Sequence, residues 1–119
     1  MGAAKQFAAV GDARVLDRSR ATAHAASDGV VVVLPSAADV AAWPTSADEI
    51  AVVGGATRSD SVRAGLAAVP AEATVICVHD AARPFATAAL FADVIAAVSG
   101  GADGAVPGLL VTDTIKVVA

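Results

Sequence analysis

Apolar residues in this chain fall into short blocks cut apart by glycine, proline and small polar residues. Val30–Leu34 is a continuous, mostly β-branched run closed by Pro35, which reads as a strand buried on both faces and therefore parallel. Residues 50–53 form a second such run, broken by Gly54-Gly55, and residues 74–78 a third. Between the runs the spacing becomes helical. Residues 15–26 offer Leu16 and Ala23 as a packing side, with Arg14, Asp17, Arg18 and Arg20 free to face water, and Ser27-Asp28-Gly29 stops the helix. A short helix over 37–43 ends at Pro44. A longer one over 59–69 places Val62, Leu66 and Val69 on one side and closes at Pro70. Thr87 caps a helix running to about residue 98, with Leu90, Val94 and Ala97 along one side and Ser99-Gly100-Gly101 ending it. Gly11-Asp12 reads as a turn, and residues 105–107 and 114–118 as short strands. Alternating strands and helices predict a layered α/β sheet.

Composition narrows the classes. The 119 residues are 56% hydrophobic and 17% charged, which suits a packed domain and not a disordered chain, and the length allows one domain, 1–119. The net charge of −4 argues against a nucleic-acid partner, because phosphate neutralisation needs a basic surface. The one cysteine, Cys77, cannot form an internal disulfide and reads as a buried small hydrophobe. No apolar run approaches the roughly eighteen residues of a spanning helix, and Met1-Gly2-Ala3-Ala4-Lys5-Gln6 lacks the features of a signal peptide. No membrane partner and a cytoplasmic location are expected.

Two junctions carry candidate chemistry. Gly54-Gly55-Ala56-Thr57-Arg58-Ser59-Asp60-Ser61 joins a strand to a helix. The glycines let backbone approach a ligand, the helix start offers free N–H groups, and Ser59, Asp60 and Ser61 supply caps. Taken alone, this is also what a tight strand–helix turn requires, and it is neither a P-loop nor a dinucleotide fingerprint. The second is Val75-Ile76-Cys77-Val78-His79-Asp80-Ala81-Ala82-Arg83-Pro84-Phe85, where a strand delivers polar groups to the sheet edge at which α/β folds bind ligands. Asp80 can hold a divalent metal brought by a nucleotide; it can equally cap the turn or pair with Arg83. His79 is a base, a ligand or an ordinary hydrogen-bonded histidine. Lys5 would act on a phosphate as a point charge, or lie on the surface. No Cys/His metal cluster and no Gly-x-Ser-x-Gly elbow occurs.

In order and interval, Gly54-Gly55-x-x-Arg58-x-x-Ser61-Val62-x-x-Gly65-Leu66, then Val78-His79-Asp80-Ala81-Ala82-Arg83-Pro84, then Asp113-Thr114-Ile115-Lys116, resemble the 2-C-methyl-D-erythritol 4-phosphate cytidylyltransferases. These enzymes of non-mevalonate isoprenoid biosynthesis join CTP to methylerythritol phosphate and release pyrophosphate. The resemblance implies a three-layer, mostly parallel sheet of the nucleotide-diphosphosugar transferase type, Mg²⁺ as the metal, and a homodimer. It also implies roles. Lys5 would neutralise CTP phosphates, Gly54, Gly55 and Ser61 would read the cytosine, and Arg58 would brace that loop. Asp80 would lie near ribose, metal and substrate, Arg83 at the methylerythritol side, and Thr114 on the substrate phosphate.

The chain also departs from the pattern. The family opens with a strand and a glycine-rich loop that wraps the triphosphate, and continues past the last motif with an arm. Both are missing here, and Ala4 stands where a proline is usual. The expectation is a partial domain, truncated at both ends, without the first strand that lies between the runs at 30–34 and 74–78. It is expected to be inactive alone and its dimerisation doubtful. A non-catalytic nucleotide-binding or interaction module is the alternative, as is a related nucleotidyltransferase with another acceptor.

Overall fold

The computed structural model describes residues 8–11, 13–44 and 46–112. A small antiparallel hairpin comes first, β1 (Ala9–Val10) with β2 (Ala13–Arg14), turning at Gly11, whose φ of 67° suits glycine. It leads into α1 (Val15–Ala26), β3 (Val30–Leu34), α2 (Ala37–Ala41), β4 (Glu49–Val53), α3 (Arg58–Ala67) and α4 (Ala88–Ser99). The strands β3 and β4 pair in parallel, with Val30 opposite Glu49 and Leu34 opposite Val53. The fold is α/β, as the alternation predicts.

Period-two alternation along β3 builds two helical layers around the sheet. One face carries Val32 and Leu34, which form the core with Leu16 of α1, and Val40, Trp43, Ala51 and Ala81 pack against it. The other face carries Val33, against which α3 lays Gly65; a Cβ there would stand 3.0 Å from a Val33 methyl. The expected apolar face of α3 is corrected accordingly. Leu66 is 43% exposed, and the residue buried against the sheet is the glycine beside it. In α4 the buried position is Phe91 and not Leu90, so the inward stripe is rotated by one residue. In both helices a neighbouring element, not the count of apolar residues, decides which side turns inward.

At the amino-terminal end of the sheet sits a buried carboxylate. Glu49 opens β4 with its side chain 1% exposed. It accepts from Arg20 Nε at 2.5 Å, from Trp43 Nε1 at 2.6 Å, and lies 2.6 Å from His24 Nε2. The Arg20 guanidinium also stacks over the Trp43 ring at 5.6 Å. Arg20 therefore does not face water as its place in the helix suggests. A buried charge is tolerated only when paired and hydrogen-bonded, and Glu49 has drawn three donors from α1 and the α2–β4 connection.

The third run departs most from expectation. Residues 74–78 belong to no strand, with Ile76 49% exposed and Val78 likewise open. A strand exists only by ladder bonds to a neighbour, and among the described residues nothing pairs with this segment. Cys77 is consequently exposed and not buried. Residues 105–107 form no strand either, and Val106 is 91% exposed. The strand expected at 114–118 lies outside the described residues.

Candidate active site

The Gly54-Gly55 loop follows β4 and is bent back toward β3 by a hydrogen bond from Gly54 N–H to the Leu34 carbonyl, 2.8 Å. Ser61, in the first turns of α3, closes it from the other side. Its Oγ accepts from Gly55 N–H at 3.1 Å and donates to the Thr57 carbonyl at 3.0 Å. Both glycines are required by space: a Cβ on Gly54 would fall 2.7 Å from Ser61 Oγ, and one on Gly55 2.2 Å from the Asp60 Cβ. The loop ends in a capping box. Thr57 Oγ1 accepts from Asp60 N–H at 3.1 Å, and the Asp60 carboxylate accepts from Thr57 N–H at 3.2 Å. Thr57, not the serine after it, is the cap; the Thr-x-x-Asp spacing ahead of an apolar helix was the signal for it. Val33, Leu34, Pro35, Gly54, Gly55 and Ser61 line an open hollow of about 270 Å³ here. That is near the small end of the ~300–1,000 Å³ range of ligand pockets, and it admits a ring more readily than a whole nucleotide. Arg58 opens α3 and is exposed.

The Asp80 corner is a tight turn. Arg83 N–H donates to the Asp80 carbonyl at 2.9 Å, and Ala82 N–H donates to Asp80 Oδ1 at 3.0 Å. Asp80 thus caps its own turn. The Arg83 guanidinium lies 3.8 Å from Asp80 Oδ2 and is mostly in water, too open for a strong ion pair. From below, Ser19 of α1 donates to the Ala81 carbonyl at 2.9 Å, a bond across 62 positions that no local pattern announces. His79 is half-buried. Its ring stands edge-on to Phe91 with centroids 5.1 Å apart, and its Nε2 is buried without a hydrogen-bond partner. Burial pushes its pKa below the ordinary value, against the opposing pull of the Asp80 charge. A second, shallower hollow of about 570 Å³ lies beside this turn, lined by Val15, Leu90 and residues 82–86.

The two corners share a foundation. Leu34, whose carbonyl anchors the glycine loop, belongs to the core against which Ala81 packs. The loop stands at the carboxyl ends of β3 and β4, where α/β folds receive ligands, and the turn is tied to the core beneath through Ala81. Lys5 and Thr114 lie outside the described residues. No group of three or more His, Cys, Asp or Glu side chains that could hold a metal exists among the described residues. Asp80 is a single exposed carboxylate, the kind of ligand Mg²⁺ combines with substrate phosphates and water. Among the described residues no helix is long and apolar enough to cross a membrane.

Comparison with known proteins gives one answer. The family described as IspD, 2-C-methyl-D-erythritol 4-phosphate cytidylyltransferase, matches residues 1–119. The cytidylyltransferase of that name from Streptomyces coelicolor is 40% identical over 125 residues, covering 97% of this chain and 46% of the relative. A bifunctional IspD/IspF enzyme from Clavibacter michiganensis is 41% identical over 125 residues, covering 97% of this chain and 30% of its own length. Another, from Oleidesulfovibrio alaskensis, is 59% identical over 68 residues, 57% of this chain and 17% of the relative. The chain thus spans less than half the length of these curated relatives. With a family match from end to end, and with the glycine loop and the His-Asp-Ala-Ala-Arg-Pro turn raised on one core, the chain belongs to the 2-C-methyl-D-erythritol 4-phosphate cytidylyltransferase family.

Proposed function

We propose that this chain supplies the base-reading loop and the acceptor corner of a site that transfers CMP from CTP to 2-C-methyl-D-erythritol 4-phosphate. The observation that carries the reading is the closed Gly54-Gly55 loop at the carboxyl ends of a parallel pair, with the Asp80–Arg83 turn tied to the same core through Ala81. In the reaction a phosphate oxygen of the acceptor bonds to the α-phosphorus of CTP. The bond from that phosphorus to the bridging oxygen breaks, and pyrophosphate leaves with the electron pair. Two anions must meet, so the work is positioning and charge neutralisation, with no covalent enzyme intermediate.

Gly54, Gly55 and Ser61 would hold the cytosine by close backbone and hydroxyl contacts, and Arg58 would brace the loop. Asp80 would hold a Mg²⁺ ion, which supplies positive charge beside the phosphates when bound. Arg83 would contact the acceptor, Lys5 the CTP phosphates, and Thr114 the acceptor phosphate, in the family across a homodimer. Calorimetric titration with Mg-CTP, with the acceptor, and with Mg-ATP as a control tests the reading. CTP is expected to bind more tightly than ATP, and Ser61→Ala to weaken CTP about tenfold through the lost loop bond. A chain that binds neither CTP nor the acceptor overturns it. Pyrophosphate release measured alongside separates a catalyst from a binding module.

A further inference from the structure

Ser19 lies in the middle of α1, 4% exposed, three residues on from the core residue Leu16 and on the same face. Filling space does not explain it. Alanine is the better helix former, and the same helix holds Ala21, Ala23, Ala25 and Ala26. A buried hydroxyl is unfavourable until it is hydrogen-bonded. Nor does this hydroxyl serve its own helix. Serine and threonine inside helices can bond back to the carbonyl four residues earlier, as Thr22 does to Arg18 at 3.2 Å. Ser19 reaches instead to the Ala81 carbonyl, 2.9 Å away. Among the described residues no other hydrogen bond ties residues 74–86 to another element. The turn's remaining bonds are internal: Ala82 N–H to Asp80 Oδ1, Arg83 N–H to the Asp80 carbonyl, and Ala86 N–H to the Arg83 carbonyl.

The place of the contact gives it a consequence. The Ala81 carbonyl and the Ala82 N–H are the two ends of one peptide unit, which is planar and moves as a rigid body. Ser19 Oγ–H donates to one end, and Asp80 Oδ1 accepts from the other at 3.0 Å. A hydrogen bond received at the carbonyl also polarises the amide and strengthens its N–H as a donor. Helix α1 thus acts on the Asp80 carboxylate through a single intervening plane. We propose that Ser19 is a positioning residue for Asp80: its hydroxyl fixes the Ala81–Ala82 plane, the plane fixes Oδ1, and Oδ2 is left for the metal. The proposal rests on the reading of Asp80 as the carboxylate that holds Mg²⁺.

The test uses the 119-residue chain with Ser19→Ala, Ser19→Thr and Ser19→Val. Threonine and valine are matched in size, so crowding at the buried position is common to both and the hydroxyl separates them. Ser19→Ala should shift the NMR signals of the Ala82 amide and the Asp80 carboxyl carbon. It should also cut the gain in CTP affinity brought by Mg²⁺ about fivefold, the scale of one hydrogen bond. CTP affinity without metal, which depends on the Gly54-Gly55 loop, should stay within twofold. Threonine should keep the Mg²⁺ gain within twofold of the unsubstituted chain, and valine should lose it as alanine does. A lowered thermal midpoint with the two signals and the Mg²⁺ gain unmoved is what a purely structural bond gives, and it overturns the proposal. Equal behaviour of the threonine and valine variants overturns it too. Should Ser19→Ala unfold, the threonine–valine pair decides; if both variants lacking the hydroxyl unfold, the bond is structural and the proposal falls. If the unsubstituted chain shows no Mg²⁺-dependent gain for CTP, the reading of Asp80 fails, and the two NMR signals still decide whether Ser19 sets its carboxylate.

Discussion

Gly55 has the least freedom of any residue in the candidate site. Its missing Cβ leaves room for the Asp60 side chain, which completes the cap of α3, so one methyl group forces apart the loop and the helix start together. Gly55→Ala should cost about 1–3 kcal/mol of stability, as overpacking typically does. Thermal unfolding would register it, and CTP affinity should fall with it. Glu49 is the matching residue at the other end of the sheet. Despite its burial, the donors Arg20, Trp43 and His24 hold its pKa below the ordinary carboxylate value. A depressed native pKa contributes stability above the unfolded value and loses it as pH falls through the native one. Stability of the chain should therefore decline with acidification below the ordinary carboxylate range, and Glu49→Gln should flatten that part of a denaturant-midpoint profile. Glu49→Ala, which strands Arg20 and Trp43, should cost about 3–5 kcal/mol at neutral pH. An unchanged midpoint would show that the cluster is not a clamp.

At the scale of elements, α3 depends on its start more than on its face. Only Gly65 of the helix is buried, so little apolar area holds it to the sheet. The Thr57–Asp60 box then becomes a large share of what keeps its first turn wound beside the glycine loop. Thr57→Ala should destabilise by about 1 kcal/mol, and amide exchange should quicken in residues 57–61 before it changes in β3. Helix α4 is the contrast. Its Thr87 cap, 3.2 Å from Leu90 N–H, is seconded by buried Phe91, so it anchors His79 even if its end frays.

Across the whole molecule, burial is uneven. Among the described residues the buried apolar side chains are Val15, Leu16, Val32, Leu34 and Phe91, and of these Leu34 is fully buried. Meanwhile Ile76, Val78, Val106, Leu109 and Leu110 face solvent, Leu109 at 96% exposure. Open apolar side chains on backbone that pairs with no strand are a template for association. Sedimentation should show self-association rising with concentration, and the double variant Val106→Lys, Leu109→Lys should reduce it. Hydrogen exchange should divide the same way, slow in β3 and β4 and fast in residues 74–80 and 102–112; uniform protection would contradict it.

Sequence by itself determined the elements whose signals are local. The continuous valines of β3, the stop at Ser27-Asp28-Gly29 and the Thr87 cap depend on neighbours a few residues away, so α1, β3 and α4 fall within a residue of expectation. The glycine pair and His-Asp-Ala-Ala-Arg-Pro were legible as candidates through their order and interval, because glycine, aspartate and proline are also what plain turns use. Tertiary structure decided what depends on distant partners. Arg20 turned inward because Glu49 waits there, 29 positions on. Gly65 and Phe91, not Leu66 and Leu90, faced the core because the packing surfaces lay on those sides. The run at 74–78 had the composition of a strand, yet pairing is a property of two segments, and it remained unpaired and open. The setting of His79 was decided the same way: the sequence placed it beside Asp80, but only folding brought Phe91 behind its ring.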